Sequence, residues 1–148
     1  MHFKSFKRFK DKIRQILKRS RGISITDYIE ELNLYLTGWT NYFHLGLYKS
    51  WSMKMDSWIR HKLRTILWKQ WKTTKMRIKM QRKYATNQTI CRSSRVGPYR
   101  VAYKELHFSL KDEVLREKYN FIGTYDNLEK IWNKKSKLNM HCQLTLFE

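Results

Sequence analysis

The sequence predicts an all-α protein: a three-helix bundle followed by a smaller, mostly helical basic extension. Three observations carry this. Five Gly and one Pro among 148 residues leave few points of punctuation, which argues for long helices over a many-turned β protein. Apolar residues recur at spacings of three and four through residues 3–72. Aromatic residues make up 15% of the chain, and each buries a large area, so they support a core despite an apolar content of 41%. The length is that of one ordinary domain, or of two very small ones sharing a seam.

The elements follow in order. Phe3, Phe6, Phe9 or Lys10, Ile13 and Ile16–Leu17 mark the first helix, with basic residues on its other faces and a stop at Arg21–Gly22. Ser24-x-x-Asp27 opens the second helix as a capping-box pair that satisfies free N–H groups. Its stripe is Tyr28, Leu32, Tyr35, Trp39 and Tyr42, widened by Ile29, Leu36 and Phe43, wide enough for a central helix. Gly38 in mid-helix costs roughly 1 kcal/mol against Ala, which a close helix crossing would explain. The third helix runs from about Ser50 to Lys72, with Met55, Trp58, Ile59, Leu63, Ile66, Leu67 and Trp71 on its apolar side. Together these form a bundle at 1–73. Residues 74–104 are a basic segment, weakly periodic to Asn87, with a turn at Gly97-Pro98. Residues 105–148 are a C-terminal extension, helical in pieces from 110 to 133 and broken near Gly123.

Charge divides the chain more sharply than hydropathy does. The formal net charge is +20. Residues 1–22 hold nine Lys and Arg against Asp11, and residues 49–84 hold twelve against Asp56. Between them, residues 23–48 carry three acids and no Lys or Arg. Such a surface favours polyanions. A membrane span is not expected, because Asn33, Thr37, Asn41 and His44 interrupt the longest uncharged stretch. The N-terminus has no apolar core of a secretory signal, and Cys91 and Cys142 form no Cys-x-x-Cys pair, which suits a reducing compartment. A bacterial cytosol or an organelle matrix is the expected location.

Three strings are more specific. Leu-Asn-Leu-Tyr-Leu-Thr-Gly-Trp-Thr-Asn-Tyr-Phe at 32–43 precedes Asp-Ser-Trp-Ile-Arg-His-Lys-Leu-Arg at 56–64 and Trp-Lys-Gln-Trp-Lys at 68–72. In order, interval and residue type they resemble the maturase-specific domain of group II intron reverse transcriptases, over roughly residues 1–104. Gly97-Pro98-Tyr99-Arg100-Val101-Ala102 departs from the Gly-Tyr-Trp-Arg-x-Ala of that family. The resemblance implies a thumb-like bundle (domain X) and part of a DNA-binding region, without the polymerase domain. It also implies that structured intron RNA is gripped and helped to fold for splicing and, in full-length relatives, for mobility.

RNA binding needs cations for phosphates and planar groups for unpaired bases. The candidate RNA-binding residues are Arg60, Lys62, Arg64, Trp68, Lys69, Lys72, Lys75, Arg77, Lys79, Arg82, Lys83, Arg92, Arg95, Tyr99 and Arg100. Most charge runs are solvated helix faces, but the near absence of acids from 49 to 104 leaves repulsion that a polyanion would relieve. Trp39, Trp58 and Trp71 read as core. Trp68 either stacks on a base or covers the bundle's rim. Tyr99 and Arg100 either reach nucleic acid or shape a turn.

No catalytic residue, metal ligand or cofactor is expected. Tyr125-Asp126-Asn127 is not the Tyr-x-Asp-Asp of a polymerase, and endonuclease motifs are absent. The five His have no metal-ligand spacing, and no phosphate loop is present. Asp27 and Asp56 read as helix-start charges. The chain therefore reads as an RNA-binding module without catalysis of its own. Two alternatives stand beside it: a thumb that completes a separately encoded reverse transcriptase, and a general cationic protein that binds DNA or a membrane surface.

Overall fold

The computed structural model describes residues 3–84, Leu106 and residues 110–144, the last with side chains to Lys137. All regular structure among the described residues is helical. Helix α1 (Phe3–Ile16) buries Phe9, Ile13 and Ile16 at three-and-four spacing, while Phe3, expected on the same stripe, is exposed in the first turn. It ends five residues before the predicted stop at Arg21–Gly22. Carbonyls released at that end find tertiary donors instead. Arg21 donates to Ile16 O at 3.1 Å, the Tyr28 hydroxyl to Lys18 O at 2.7 Å and Lys69 Nζ to Arg19 O at 3.2 Å. Gly22 then turns the chain at φ 71°, a conformation that glycine adopts without a Cβ penalty.

Helix α2 (Ile25–Phe43) opens with the capping box in full. Asp27 N donates to Ser24 Oγ at 3.2 Å, and Ser24 N donates to Asp27 Oδ2 at 3.1 Å. Tyr28, Ile29, Leu32, Leu36 and Thr40 are buried. Tyr42, expected on the same stripe, faces solvent. Residues two apart on a helix point nearly opposite ways, so burying Thr40 turns Tyr42 outward. The close crossing expected at Gly38 is also absent among the described residues: a Cβ there would meet none of their atoms within 4 Å. Gly38 is two residues from both Leu36 and Thr40 and lies on the outer face for the same reason.

A single 3-10 turn (His44–Gly46) leads into α3 (Lys49–Gln70). Residues 63–68 of α3 are all buried, the most enclosed stretch among the described residues. Helix α4 (Thr74–Tyr84) starts with Met76 N donating to Thr73 Oγ1 at 3.2 Å. Helix α5 (Asp112–Tyr119) ends on Asn120 in the left-handed region at φ 54°, and α6 (Thr124–Leu144) follows. The break predicted near Gly123 is therefore the α5–α6 connection.

Helix α2 contacts α1, α3, α5 and α6, and α6 also packs along α3. Leu106, Leu110, Leu115 and Phe121 join the hydrophobic core built by α1, α2 and α3. The described part of residues 105–148 is thus integral to the bundle. An aromatic group closes the other end, with Phe9 and Trp39 centroids 4.1 Å apart and Trp51 5.5 Å from each of them.

Candidate nucleic-acid interface

Three polar residues of the motif strings, Asn33, Asp56 and Arg64, face inward. On α2, Asn33 holds the α5–α6 connection from both sides: its Nδ2 donates to Asn120 O at 2.7 Å, and Ile122 N donates to its Oδ1 at 3.0 Å. On α3, buried Asp56 accepts from Thr124 N at 2.8 Å, Thr124 Oγ1 at 2.5 Å and Tyr125 N at 2.9 Å. Asp56 is a helix-start charge, as its type suggested, but for α6 and not for the helix that carries it. Burial pushes its carboxyl above the ordinary range, against the opposing pull of the Thr124 hydroxyl, the two N–H groups and Arg60.

Arg64 is the third bracket. Its Nε donates to Leu110 O at 2.8 Å and its terminal nitrogen to Asp112 Oδ1 at 2.8 Å; Arg60 Nε reaches the same oxygen at 2.9 Å. Burial lowers the Arg64 pKa, and the Asp112 contact opposes that shift. Two residues offered as RNA contacts therefore move indoors. Arg64 is 3% exposed and Trp68 1%. Trp68 has no face for a base: Arg77 covers its ring at 4.4 Å from the centroid, held there by a 2.7 Å bond from Nε to Trp71 O. Arg60 and Arg77 are likewise engaged within the fold.

The remaining described candidates sort by helix. Lys69, Lys72, Lys75, Lys79, Arg82 and Lys83 are exposed, and Lys62 is half-buried. Arg92, Arg95, Tyr99 and Arg100 lie outside the described residues, as does the Gly97-Pro98 turn. Lys62 and Lys69 are not on a ladder of their own, because α1 brings cations alongside them. Half-buried Trp58, expected in the core, lies between Arg14 at 5.9 Å and Lys62 at 5.8 Å from its ring centroid. Burial lowers the Lys62 pKa, and Arg19 and Arg14 lower it further, so these charges share one locality. Arg14 and Arg19 were not among the predicted site residues. The signal was present in the charge of residues 1–22, but only tertiary packing says that this arm meets α3.

The result is a seam between α1 and α3, continued by the residues just after each helix, carrying Arg14, Arg19, Lys62, Lys69 and Lys72. Asp11 is the acid paired there, at 2.6 Å from Arg14 and well exposed, where an ion pair contributes little. At the end of the seam the α1–α2 connection and the C-terminal end of α3 flank an open cavity of about 590 Å³. Among the described residues no group of His, Cys, Asp and Glu is placed to hold a metal ion, and no helix is long and apolar enough to cross a membrane.

Fold and seam together define an all-α bundle whose buried acid and arginines bracket its C-terminal segment and whose outer cations lie largely unopposed. The family model for the group II intron maturase-specific domain matches residues 6–85, and the chain belongs to that family. Membership gives it a maturase-related role in intron splicing, with group II intron RNA as the implied partner, through a domain that is maturase-specific and not catalytic. No curated protein matches the chain.

Proposed function

We propose that the protein is an RNA-binding maturase-type module that grips structured group II intron RNA and stabilises its folded form without catalysis of its own. The observation that carries this is the α1–α3 seam continued by the exposed Lys75, Lys79, Arg82 and Lys83 of α4. Cations held on a rigid core favour the compact RNA, where phosphates are dense, over the extended one. The cations of residues 85–104, among them Arg92, Arg95 and Arg100, would add to the charge that meets the RNA.

The experiment is filter binding of a group II intron RNA and of random RNA of equal length across a salt series. The intron is expected to bind more tightly, with a slope of roughly 0.7–0.9 log units per phosphate contacted. Lys62→Ala, Lys69→Ala and Lys72→Ala should each weaken binding and make the slope shallower. Equal affinity for the two RNAs would sink the proposal, and preference for duplex DNA would favour the general DNA-binding alternative.

A second role has a specific observation behind it. Leu34, Tyr42 and Leu45 are 79%, 81% and 81% exposed on and just beyond the outer face of α2, around Gly38. An uncovered apolar face of this kind suits a protein partner, here a separately encoded polymerase domain that the bundle would complete as its thumb. Co-purification with such a domain, lost in Leu34→Lys/Leu45→Lys, tests it.

A further inference from the structure

The cavity at the end of the seam differs in character from the open cationic surface. Its floor is apolar, from Ile23, Tyr28 and Ile66, and its mouth carries Arg19, Lys69 and Lys72; no Asp or Glu lines it among the described residues. At about 590 Å³ it falls in the range of small-ligand pockets. The rim is fixed by its own hydrogen bonds. Two bonds join lining residues across it: the Arg19 carbonyl accepts from Lys69 Nζ at 3.2 Å and the Ile23 carbonyl from Gln70 at 2.9 Å. These two carbonyl oxygens, which would repel an anion, are thereby paired. Lys69 uses one of its three N–H donors in this way, and Arg19 and Lys72 have no carboxylate partner among the described residues.

A ligand matching this cavity has a flat apolar part and an adjoining anion. We propose that it holds one unpaired nucleotide of the bound RNA, with the base against half-buried Ile23, above the buried Tyr28 and Ile66, and the phosphate between Arg19, Lys69 and Lys72. This rests on the RNA binding proposed above and adds what part of an RNA is read. A base within a duplex has its faces stacked and its edge paired, so it cannot enter; a bulged or looped base can. The seam would then hold the backbone leading to that base.

The test uses the full chain and two hairpin RNAs of equal length, one fully paired and one with a single-nucleotide bulge. The wild type should prefer the bulged hairpin by about tenfold, the order expected for seating one base. Ser20→Phe fills the cavity from an exposed turn position without changing charge. It should remove that preference and leave affinity for the paired hairpin within about twofold. Arg19→Ala/Lys72→Ala should weaken the bulged hairpin more than the paired one, whereas Lys79→Ala/Lys83→Ala, the same charge change on α4, should weaken both alike. Unchanged thermal unfolding of each variant excludes misfolding as the cause. Equal binding of the two hairpins by the wild type, or a preference that survives Ser20→Phe, overturns the assignment and leaves RNA binding standing. Loss of bulge preference on adding AMP supports the cavity as the site; AMP bound in a protein that shows no RNA binding overturns both proposals.

Discussion

Asp56, in the third turn of α3, caps the start of α6 by accepting from Thr124 and Tyr125, and Gly123 lies so close that a Cβ would come within 2.8 Å of the Asp56 carboxyl carbon. The pair is mutually required. The carboxylate stands where the first free N–H groups of α6 point, and only a residue without a side chain leaves it room. Asp56→Ala is expected to cost about 3 kcal/mol, through buried donors left unpaired. Gly123→Ala, which displaces the same carboxylate, is expected to cost about 2 kcal/mol. The double variant should lose clearly less than the two losses combined, because both break one contact. Additive losses in urea unfolding would refute the coupling.

Gly38 is expected to behave in the opposite sense. Its Cβ position is open, so Gly38→Ala should stabilise the protein by about 1 kcal/mol through helix propensity alone. A destabilised variant would mean that the outer face of α2 is occupied in the isolated protein. If the substitution stabilises yet abolishes capture of a polymerase domain, the glycine serves a close approach by that partner.

Arg64 is expected to act on stability and not directly on RNA. Arg64→Ala removes the donor to Leu110 O and the inner arm to Asp112, at a cost of about 2–3 kcal/mol. Asp112 is substantially exposed, so Asp112→Asn should cost less than about 1 kcal/mol. Under conditions where Arg64→Ala remains folded, its RNA affinity should stay close to wild type, while Lys69→Ala and Lys72→Ala show the reverse pattern. A large affinity loss in folded Arg64→Ala would restore it to the contact surface.

His61 supplies a pH dependence. Burial first, then the charges of Arg64 and Lys62, hold its imidazole below the ordinary value of 6.5. The unfolded chain then takes up the proton before the folded one does as pH falls. Its contribution is fully present above 6.5 and declines as pH drops through 6.5 toward the lower folded value. The urea midpoint should therefore fall between pH 7.5 and 5.5, and His61→Gln should flatten that fall. An identical pH profile for the variant would remove His61 as its source.

Local pattern made much of the fold legible. The capping box at Ser24 and Asp27, the buried stripe of α2 as far as Leu36 and the break near Gly123 follow from residues close in sequence, as does the core position of Trp71. The misses have one physical origin. Where α1 stops, which way Tyr42 and Gly38 face, and whether Arg64 and Trp68 meet solvent all depend on groups distant along the chain. Leu110, Asp112 and Arg77 cover the latter two, and no periodicity at 64 or 68 announces them.

By itself the sequence determined an all-α basic chain, its helix-forming segments and, through three motif strings, its family. Periodicity, capping chemistry and charge are local properties, so they can be read in order along the chain. Only the tertiary structure decided which charges stay outside. It turned Asn33, Asp56 and Arg64 into brackets for residues 110–125 and set Arg14 and Arg19 beside Lys62 and Lys69. The physical reason is desolvation: a buried charge or amide must find its partner, and that partner is chosen by folding and not by spacing.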